Sequence, residues 1–435
     1  MAPRNATGNL VLQAWIERLR RLGLDVTALS LFSAPAGVSV GLGLVVITFL
    51  LALARRPLWP LSAGVVLAVV FVGYVLVLGV VGDYPGGTPA VRMEAAAQWA
   101  QLLVFVPVAY VLAGDQARLL RLLGLALVGL ILGALWRLDW ALLFTDTGAF
   151  VERRPGFGFP ANVAALFSGT ALLGLVMLRQ RWWRARGPRA LWLGLWWLAL
   201  LLVAQGFLLS LSRGAWLALV LTLALGLLWT ARTSAPWAPS RWTLPVTGII
   251  VVLLLLYAGP MAERFAAEWG SVQAMLAGDI DYAPESSLSQ RWHAQRFGLH
   301  AWLSQPWLGW GPGAARALLA ASDDPSLMVI GYGPLKHLHN TYLEVLVQLG
   351  LLGLLFWLGL FWLLLRSVFQ ARRARRIDAD VTRFLALALV YLMLWSLFDF
   401  HAMQQVWRAY WALLAGAALS VGLFAGRSAD AHGPR

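Results

Sequence analysis

Two histidines stand just before a long apolar run and are the first residues in this sequence whose chemistry suggests a reaction. His337 and His339 precede Asn340, and histidine is the side chain best suited to exchange protons near neutral pH. A helix that begins at Asn340 would have a good N-cap, with Glu344 in its first turn. We therefore expect His339, or its neighbour His337, to accept a proton. The simpler interpretation is that Asn340 caps the helix and both histidines are ordinary residues of a membrane interface.

Two arginines lie in settings that would suit an anion. Arg213 follows Ser210 and Ser212 and precedes Gly214, at the boundary between two apolar runs. An arginine beside free hydroxyl donors can bind a phosphate or carboxylate, and a glycine permits a close backbone approach. Arg291 lies in a long polar stretch further along the chain. The alternatives are that Arg213 reaches for lipid head groups and that Arg291 belongs to a surface amphipathic helix.

Acidic residues give two further candidate sites, which the sequence supports less well. Asp279 and Asp281 form an aspartate-x-aspartate pair, and carboxylate oxygens are the ligands that hard divalent cations prefer. A solvated acidic turn is the preferred interpretation of that pair. Asp83 and Glu94, in and beside the polar stretch 83–93 between two apolar runs, could supply a reactive carboxylate. The chain has no cysteine, which excludes disulfides and thiolate metal sites, and we expect neither a metal nor a cofactor.

The elements that must position these residues are long apolar segments. The chain of 435 residues is 60% hydrophobic and 12% charged, against about 25% charged residues in soluble domains. A run of about 20 apolar residues crosses the hydrocarbon core as a helix, and alternating strand patterns are absent. The sequence predicts an all-α membrane protein of about 12 transmembrane helices. Clear spans cover 37–54, 58–82, 94–113, 119–144, 160–178, 190–209, 214–231, 243–260, 342–365, 383–400 and 404–425, and a weaker, bent or re-entrant segment at 22–36 would complete the set.

Arginine-rich loops predict the orientation of these spans, because such loops stay in the cytoplasm. The four loops that share one side are 55–56, 179–189, 232–241 and 366–383. The opposite, periplasmic side then receives 261–341, a polar stretch in which the spacing predicts a helix over 289–304. We divide the chain into N-terminal transmembrane helices (1–260), a large periplasmic loop domain (261–341) and C-terminal transmembrane helices (342–435).

The net charge of +14 arises largely from these loops. Loop arginines meet the anionic head groups of membrane lipids, so we expect membrane lipids and no nucleic acid as partners. No cleavable signal peptide is expected, because residues 1–27 lack a continuous apolar core. The expected location is an inner membrane, crossed many times by the chain.

Four motifs, taken together, resemble the O-antigen ligase family of bacterial membrane glycosyltransferases. The first is a histidine followed by a small amide residue, nine positions and glycine-x-x-glycine. The others are an arginine at the outer end of a mid-chain span, a loop arginine with a PxxGxG segment, and a segment that ends in asparagine. The matching positions are His339–Asn340 with Gly350 and Gly353, Ser212–Gly214, Arg291 with Pro306–Gly311, and Gly156–Asn162. The resemblance covers roughly residues 150–360.

The resemblance implies a fold, a reaction and roles for particular residues. The fold would be a glycosyltransferase C-like bundle whose active site faces the periplasm of a bacterial inner membrane. The donor would be O-antigen polysaccharide on undecaprenyl diphosphate, the acceptor the lipid A–core oligosaccharide, and the transfer metal-independent and inverting. His339 would be the catalytic base, and Arg213 and Arg291 would bind and stabilise the diphosphate. His337, Asn340 and Asn162 would contribute to substrate binding.

Two alternatives remain open at this point. An O-antigen polymerase, or another lipid-linked glycan transferase, would use the same kind of donor and a second lipid-linked glycan as acceptor. Polymerases tend to carry two sizeable outer loops, whereas this chain has one, which favours the ligase. A non-enzymatic glycolipid transporter usually has internal repeats and broken helices at the membrane midplane. In this sequence the polar residues gather at the outer boundary instead, which disfavours transport.

Overall fold

The computed structural model describes residues 4–55, 62–153, 155–185, 187–232, 258–279, 286–329 and 333–423. These residues are mostly helical, and their strands are limited to a two-residue antiparallel pair, β1 (Met328–Val329) and β2 (Gly333–Pro334). The prediction of an all-α protein is confirmed. The helices are α1 (Arg4–Ser30), α2 (Pro35–Arg55), α3 (Ala63–Val81), α4 (Pro89–Ala100), α5 (Phe105–Leu112), α6 (Gln116–Trp136), α7 (Trp140–Thr145), α8 (Thr147–Glu152), α9 (Ala161–Met177), α10 (Arg179–Trp183), α11 (Arg189–Leu209), α12 (Arg213–Arg232), α13 (Ala258–Ala277), α14 (Ser287–Ser304), α15 (Ala314–Ala320), α16 (Thr341–Arg373), α17 (Ala379–Trp395) and α18 (Gln405–Leu423).

Seven helices in the described part of the chain are long and apolar enough to cross a membrane. They are α2, α3, α4 joined to α5, α6, α11, α16 and α18. Helices α9 and α12 contribute shorter apolar stretches, Ala161–Met177 and Arg213–Trp229. The prediction of a membrane protein is confirmed, whereas the total of about twelve spans stays a prediction. Most of the predicted span 243–260 lies outside the described residues.

The charged helix α1 packs lengthwise against α2, which differs from the bent segment predicted at 22–36. A Cβ atom added to Gly23 of α1 would lie 2.9 Å from the carbonyl oxygen of Gly41 in α2, so the two helix backbones are in close contact there. Residues 22–30 continue α1, and a short turn then leads into α2. The acid that argued against a helix is paired, because Arg121 of α6 contacts both carboxylate oxygens of Asp25 at 3.1 and 2.7 Å.

The predicted span 119–144 is interrupted. Helix α6 ends at Trp136, and the Asp139 carboxylate accepts a hydrogen bond of 3.0 Å from the Leu142 N–H to start the short helix α7. A side-chain cap competes with continuation of the helix, which the hydropathy of the run did not reveal.

The predicted span 383–400 also ends too late. Helix α17 stops at Trp395, and a loop leads from there to α18 at Gln405. The apolar residues Leu397, Phe398 and Phe400 lengthened the hydrophobic run in the sequence although they belong to this loop. We refer to residues 396–404 as the 396–404 loop.

Helix α16 is broken at Gly350, whose φ of 65° and ψ of −170° are not helical. The break frees backbone carbonyls of the preceding turn, and the family-like PxxGxG segment satisfies them. The Trp310 N–H donates to the Val347 carbonyl at 2.9 Å, and the Gly311 N–H donates to the Gln348 carbonyl at 3.0 Å. The polar segment before α16 is thereby attached to the middle of a predicted span.

The same contact explains two glycines of the motifs. A Cβ atom at Gly350 would lie 2.2 Å from the Trp307 carbonyl oxygen, and one at Gly309 would lie 2.6 Å from the Gly350 nitrogen. Both glycines have positive φ, 65° and 69°, which side chains rarely adopt. Beyond the break, the Leu351 N–H donates to the Pro306 carbonyl at 2.9 Å. The PxxGxG segment and the glycine-x-x-glycine pair are therefore two halves of one joint.

A small core holds the polar segment together above the main bundle. Ala294 of α14, Leu319 of α15 and Leu338 are fully buried in it. Val347 of α16 belongs to the same cluster, so this core is anchored on the first turns of α16. The division at 260 and 341 stays a prediction, since shared packing does not fix a domain boundary.

Candidate active site

Four separate segments meet at one end of the bundle, around the carboxylate of Asp399. They are the start of α9, the start of α12, the residues before α16 and the 396–404 loop. Asp399 is 1% exposed, and a buried carboxylate is stable only when it is paired and hydrogen-bonded. The residues that pair with the Asp399 carboxylate therefore define the candidate active site.

Asp399 contacts two histidines and an asparagine. Its Oδ1 atom lies 3.4 Å from Nδ1 of His339, and its Oδ2 atom lies 3.1 Å from Nε2 of His401. The amide nitrogen of Asn162 donates a hydrogen bond to Oδ2, and the Phe400 N–H donates to Oδ1 at 2.9 Å. Burial alone would raise the pKa of Asp399, but the two imidazoles hold it well below its usual range. Asp399 is therefore a charged centre surrounded by donors.

The backbone around His339 is fixed from two sides. His339 itself has φ of 53°, a left-handed conformation that is uncommon for a residue with a side chain and often marks a functional site. The Leu338 N–H donates to the Glu344 carboxylate at 2.8 Å, and the Thr341 hydroxyl donates to the Asp399 carbonyl at 2.6 Å. The imidazole of His339 is thus held against the 396–404 loop.

Asn340 caps α16, as the sequence predicted. Its side-chain oxygen accepts hydrogen bonds from the Tyr342 and Leu343 N–H groups at 3.0 and 3.1 Å. Glu344 lies in the first turn, is fully buried and accepts a further bond of 2.7 Å from the Gln348 amide. The capping role uses the oxygen of Asn340 and leaves its amide nitrogen for other partners.

The two serines before Arg213 are not free donors, and the expectation of a hydroxyl-lined anion cradle was wrong. The Ser210 hydroxyl donates to the Phe207 carbonyl at 2.6 Å. The Ser212 hydroxyl donates to the side-chain oxygen of Asn162 at 2.8 Å. Because Asn162 in turn donates to Asp399, these serines support the carboxylate network instead.

The absence of a side chain at Gly214 makes room for a residue of the protein, Phe398, and not for a substrate. A Cβ atom there would lie 2.6 Å from Cβ of Phe398, so the start of α12 packs directly on the 396–404 loop. This contact places Arg213 and Asp399 on neighbouring elements.

Arg213 forms an ion pair with Glu268 of α13. The distance between Nη2 of Arg213 and Oε1 of Glu268 is 2.6 Å, and the other carboxylate oxygen accepts a bond of 2.9 Å from the Leu288 N–H. Burial alone would raise the pKa of Glu268, but Arg213 and the Leu288 N–H outweigh burial and lower it below its ordinary value. We predicted that Arg213 binds the anion of a substrate. In this structure the carboxylate of Glu268 already accepts a hydrogen bond from its guanidinium.

Arg291 lies on α14 and interacts electrostatically with Asp399, Glu268 and Arg213. Burial lowers its pKa; Asp399 and Glu268 oppose this shift, and Arg213 adds to it. Its buried Nε atom has no hydrogen-bond partner among the described residues. The predicted helix over 289–304 is confirmed as Ser287–Ser304.

Helix α14 packs closely against the start of α16 at Gly298. A Cβ atom at Gly298 would lie 2.7 Å from Leu338 and 2.9 Å from Leu343. This packing carries Arg291 towards the start of α16.

His337 completes the cluster. Its ring centroid lies 4.2 Å from that of His339 and 5.7 Å from that of His401. Burial lowers the pKa of His337 to about 3, and the neighbouring His339 adds to the shift. Ligand atoms of His337, His339 and Asp399 all lie within 4.8 Å of one another, and these are the residues in the described part of the chain that could hold a metal.

The other acidic candidates are apart from this cluster or outside the description. Asp279 is exposed at the end of α13, and Asp281 is not among the described residues. Glu94 is exposed on α4, where it accepts a hydrogen bond from Gln98 at 3.5 Å. None of the described ones contacts Asp399.

The sequence analysis missed Asp399, His401 and Glu268. Asp399 lay at the end of an apolar run that was assigned to the span 383–400, and His401 lay just beyond it, between two predicted spans. The available clue was Asp399 itself, because an aspartate inside a predicted membrane helix is unusual. Glu268 carried no motif, and its pairing with Arg213 arises only from the fold.

The comparison with known proteins agrees with the motifs. The O-antigen ligase family model matches residues 197–358, which include Arg213, Arg291 and the segment from His339 to Gly353. No curated protein matches the chain. Proteins of this family are membrane glycosyltransferases that act on lipid-linked glycans and lipid acceptors. The match over residues 197–358 shows that this segment is similar to the O-antigen ligase family.

Proposed function

We propose that the protein is an O-antigen ligase, which transfers polysaccharide from undecaprenyl diphosphate to the lipid A–core oligosaccharide on the periplasmic face of a bacterial inner membrane. The observation that carries the proposal is the contact between His339 and Asp399, with two arginines on neighbouring elements. A base and an anion-binding group are the two functions that this transfer requires.

The base is His339. A carboxylate beside Nδ1 favours the tautomer that carries its proton on that nitrogen, so Nε2 keeps a lone pair for the acceptor. In the reaction the acceptor oxygen forms a bond to the anomeric carbon, the bond from that carbon to the diphosphate oxygen breaks, and the hydroxyl proton goes to Nε2. Such general-base catalysis contributes about 10²–10⁴-fold. One displacement of this kind inverts the anomeric configuration.

The leaving diphosphate is stabilised by Arg213 and Arg291. Each charge-assisted hydrogen bond contributes about 1.5–3 kcal/mol, and preorganised donors aimed at developing charge are a major source of catalysis. The unpartnered Nε of Arg291 supports this role, because a buried guanidinium nitrogen without a partner is unfavourable until an acceptor arrives. No metal is part of this reaction scheme.

Glu268 competes with the donor for Arg213. A diphosphate oxygen and the Glu268 carboxylate are both acceptors for the same Nη2 atom, 2.6 Å from Glu268 in this structure. We infer that donor binding displaces Glu268 from Arg213, while the Leu288 N–H retains the other carboxylate oxygen.

Apolar space that could take the lipid part of the donor lies around the start of α9, the helix that carries Asn162. A cavity of about 90 Å³ reaches Phe157 and Leu209 near the start of α9. It shares Phe32, Leu130 and Phe167 with a larger apolar cavity of about 340 Å³. These cavities support a prenyl-linked substrate, whose tail needs an apolar path next to a polar reaction centre.

Reconstitution of the purified full-length protein tests the proposal. We expect polysaccharide to be joined to lipid A–core when undecaprenyl-diphosphate-linked polysaccharide is supplied, and the activity to persist in excess EDTA. Longer lipid-linked glycan without use of lipid A–core would identify a polymerase. No covalent product with either acceptor, together with movement of glycolipid between leaflets, would identify a transporter.

A further inference from the structure

The histidines around Asp399 have bonding capacity that glycan transfer does not use. The Nδ1 atoms of His337 and His401 are buried and have no hydrogen-bond partner among the described residues, and Nδ1 of His339 meets only Oδ1 of Asp399, at 3.4 Å. Unpaired buried polar atoms are unfavourable, and each such atom in a folded protein calls for an explanation. His337 and His339 each have a ligand atom close to the Asp399 carboxylate, which indicates a ligand common to these three residues.

The spacing of the donor atoms fits a transition-metal ion. Zn²⁺ binds imidazole nitrogen at about 2.0–2.1 Å and carboxylate oxygen at about 2.0–2.2 Å in tetrahedral geometry. Two ligands of one tetrahedral ion are therefore roughly 3.3–3.5 Å apart. The distance between Nδ1 of His339 and Oδ1 of Asp399 is 3.4 Å. A ligand atom of His337 lies within 4.8 Å of both.

We propose that His337, His339 and Asp399 form a binding site for a divalent transition-metal ion of the zinc type. Two imidazoles and one carboxylate are donors that suit Zn²⁺ and suit Mg²⁺ poorly, because Mg²⁺ prefers oxygen ligands. Three protein ligands leave a fourth position open for water.

The surroundings support the ligands and limit the affinity. His401 and Asn162 both contact Oδ2 of Asp399, and the Phe400 N–H donates to Oδ1. These contacts fix the carboxylate as outer-shell partners do and leave one lone pair of Oδ1 for the metal. The positive charge of Arg291 acts on the same carboxylate and opposes a cation. We expect reversible binding that is weaker than in a structural zinc site.

The metal would act as an inhibitor of the proposed reaction, a consequence that rests on the proposed function. A neutral imidazole has a single N–H group. If the Nδ1 lone pair of His339 binds the metal, the proton resides on Nε2, which then cannot accept the proton of the acceptor hydroxyl. The site itself does not depend on that reaction.

Metal binding to the purified full-length protein, freed of any histidine tag and stripped with EDTA, tests the site without an activity assay. Calorimetric titration with Zn²⁺ should show one ion per chain, and the same titration with Mg²⁺ should show none. His337→Ala should weaken Zn²⁺ binding by about tenfold or more, since loss of an outer-shell partner alone typically costs 10–100-fold. His300→Ala, which removes an exposed histidine of α14, should bind as wild type.

Binding that is equal in wild type and His337→Ala, or absent in wild type, would overturn the proposal. Visible absorption of Co²⁺ added to the unmodified protein is the second measurement, because it requires no variant to fold. Intense tetrahedral bands that Zn²⁺ abolishes are expected. Only the weak bands of hydrated Co²⁺ would also overturn it. Inhibition of transfer is scored separately, so a failure of the proposed function leaves these results unchanged.

Discussion

Asn162 and Asp399 are 237 positions apart in the chain, and the side-chain amide of one donates a hydrogen bond to the carboxylate of the other. The bond joins the start of α9 to the 396–404 loop. Both residues lie outside the segment 197–358 that matches the family model. The base predicted within that segment, His339, is therefore positioned by residues from both flanking parts of the chain.

Asp399→Asn should lower kcat by about 10²–10⁴-fold with little change in KM for either substrate. An amide at this position loses the negative charge beside Nδ1 of His339, so the imidazole is no longer held in one tautomer. Steady-state rates of the reconstituted reaction measure the effect. Glu94→Gln, at an exposed acid of α4, is the matched control and should behave as wild type. A rise in KM at constant kcat would assign Asp399 to substrate binding instead of positioning.

Arg213→Lys and Arg291→Lys should each reduce transfer by about 10²-fold or more, although the charge is kept. Lysine cannot reproduce the planar, bidentate fork of arginine on a diphosphate. Arg316→Lys, at an exposed arginine of α15, is the control and should retain full activity. Binding of undecaprenyl diphosphate to the solubilised variants is measured alongside. Normal binding and transfer by both lysine variants would reduce the site to the histidine and its carboxylate.

Glu268→Gln should bind the diphosphate donor more tightly and unfold at a lower temperature. The variant removes the charge that competes for Arg213, and it also removes the stabilising ion pair. Because the folded-state pKa of Glu268 is lowered, its stabilisation is present above the ordinary carboxyl pKa and is lost as the pH falls through the folded value. The Tm difference between variant and wild type should be constant from about pH 8 to pH 5.5 and shrink below about pH 4.5. Weaker donor binding by the variant would mean that Glu268 only positions Arg213.

Gly350→Ala should separate the PxxGxG segment from α16. A side chain there combines a left-handed backbone, which costs about 1–3 kcal/mol, with a contact of 2.2 Å to the Trp307 carbonyl oxygen. We expect a lower Tm, faster proteolysis of the segment between α13 and α16, and loss of transfer. Gly73→Ala, in α3, where an added Cβ meets nothing within 4 Å, is the control. Unchanged proteolysis of Gly350→Ala would show that the joint is not needed to hold the segment.

Local patterns in the sequence were enough to predict the residues whose roles depend on neighbours along the chain. The cap at Asn340 and the helix that carries Arg291 follow from spacing within a few turns. The sequence shows the glycines of the two motifs but does not show why glycine is needed there. The break at Gly350 depends on contacts with a segment about forty positions earlier. Hydropathy predicted an unbroken span there because Leu351 and its neighbours are apolar on both sides of the break.

The partners of the site residues could not be predicted in this way. Asp399 contacts His339 across two helices, and Glu268 contacts Arg213 across 55 positions. Such pairs depend on how helices pack, which a single sequence does not reveal. The hydroxyl-lined cradle failed for the same reason, because Ser212 is used by Asn162, a residue 50 positions away.

The account depends most on His339 as the base, and one comparison tests it directly. Transfer of polysaccharide to lipid A–core is measured for His339→Ala, His337→Ala and His300→Ala at equal amounts of folded, membrane-inserted protein. We expect no product with His339→Ala, a measurable rate with His337→Ala and the wild-type rate with His300→Ala. A full rate with His339→Ala and none with His337→Ala would contradict the account and assign the base to the other histidine.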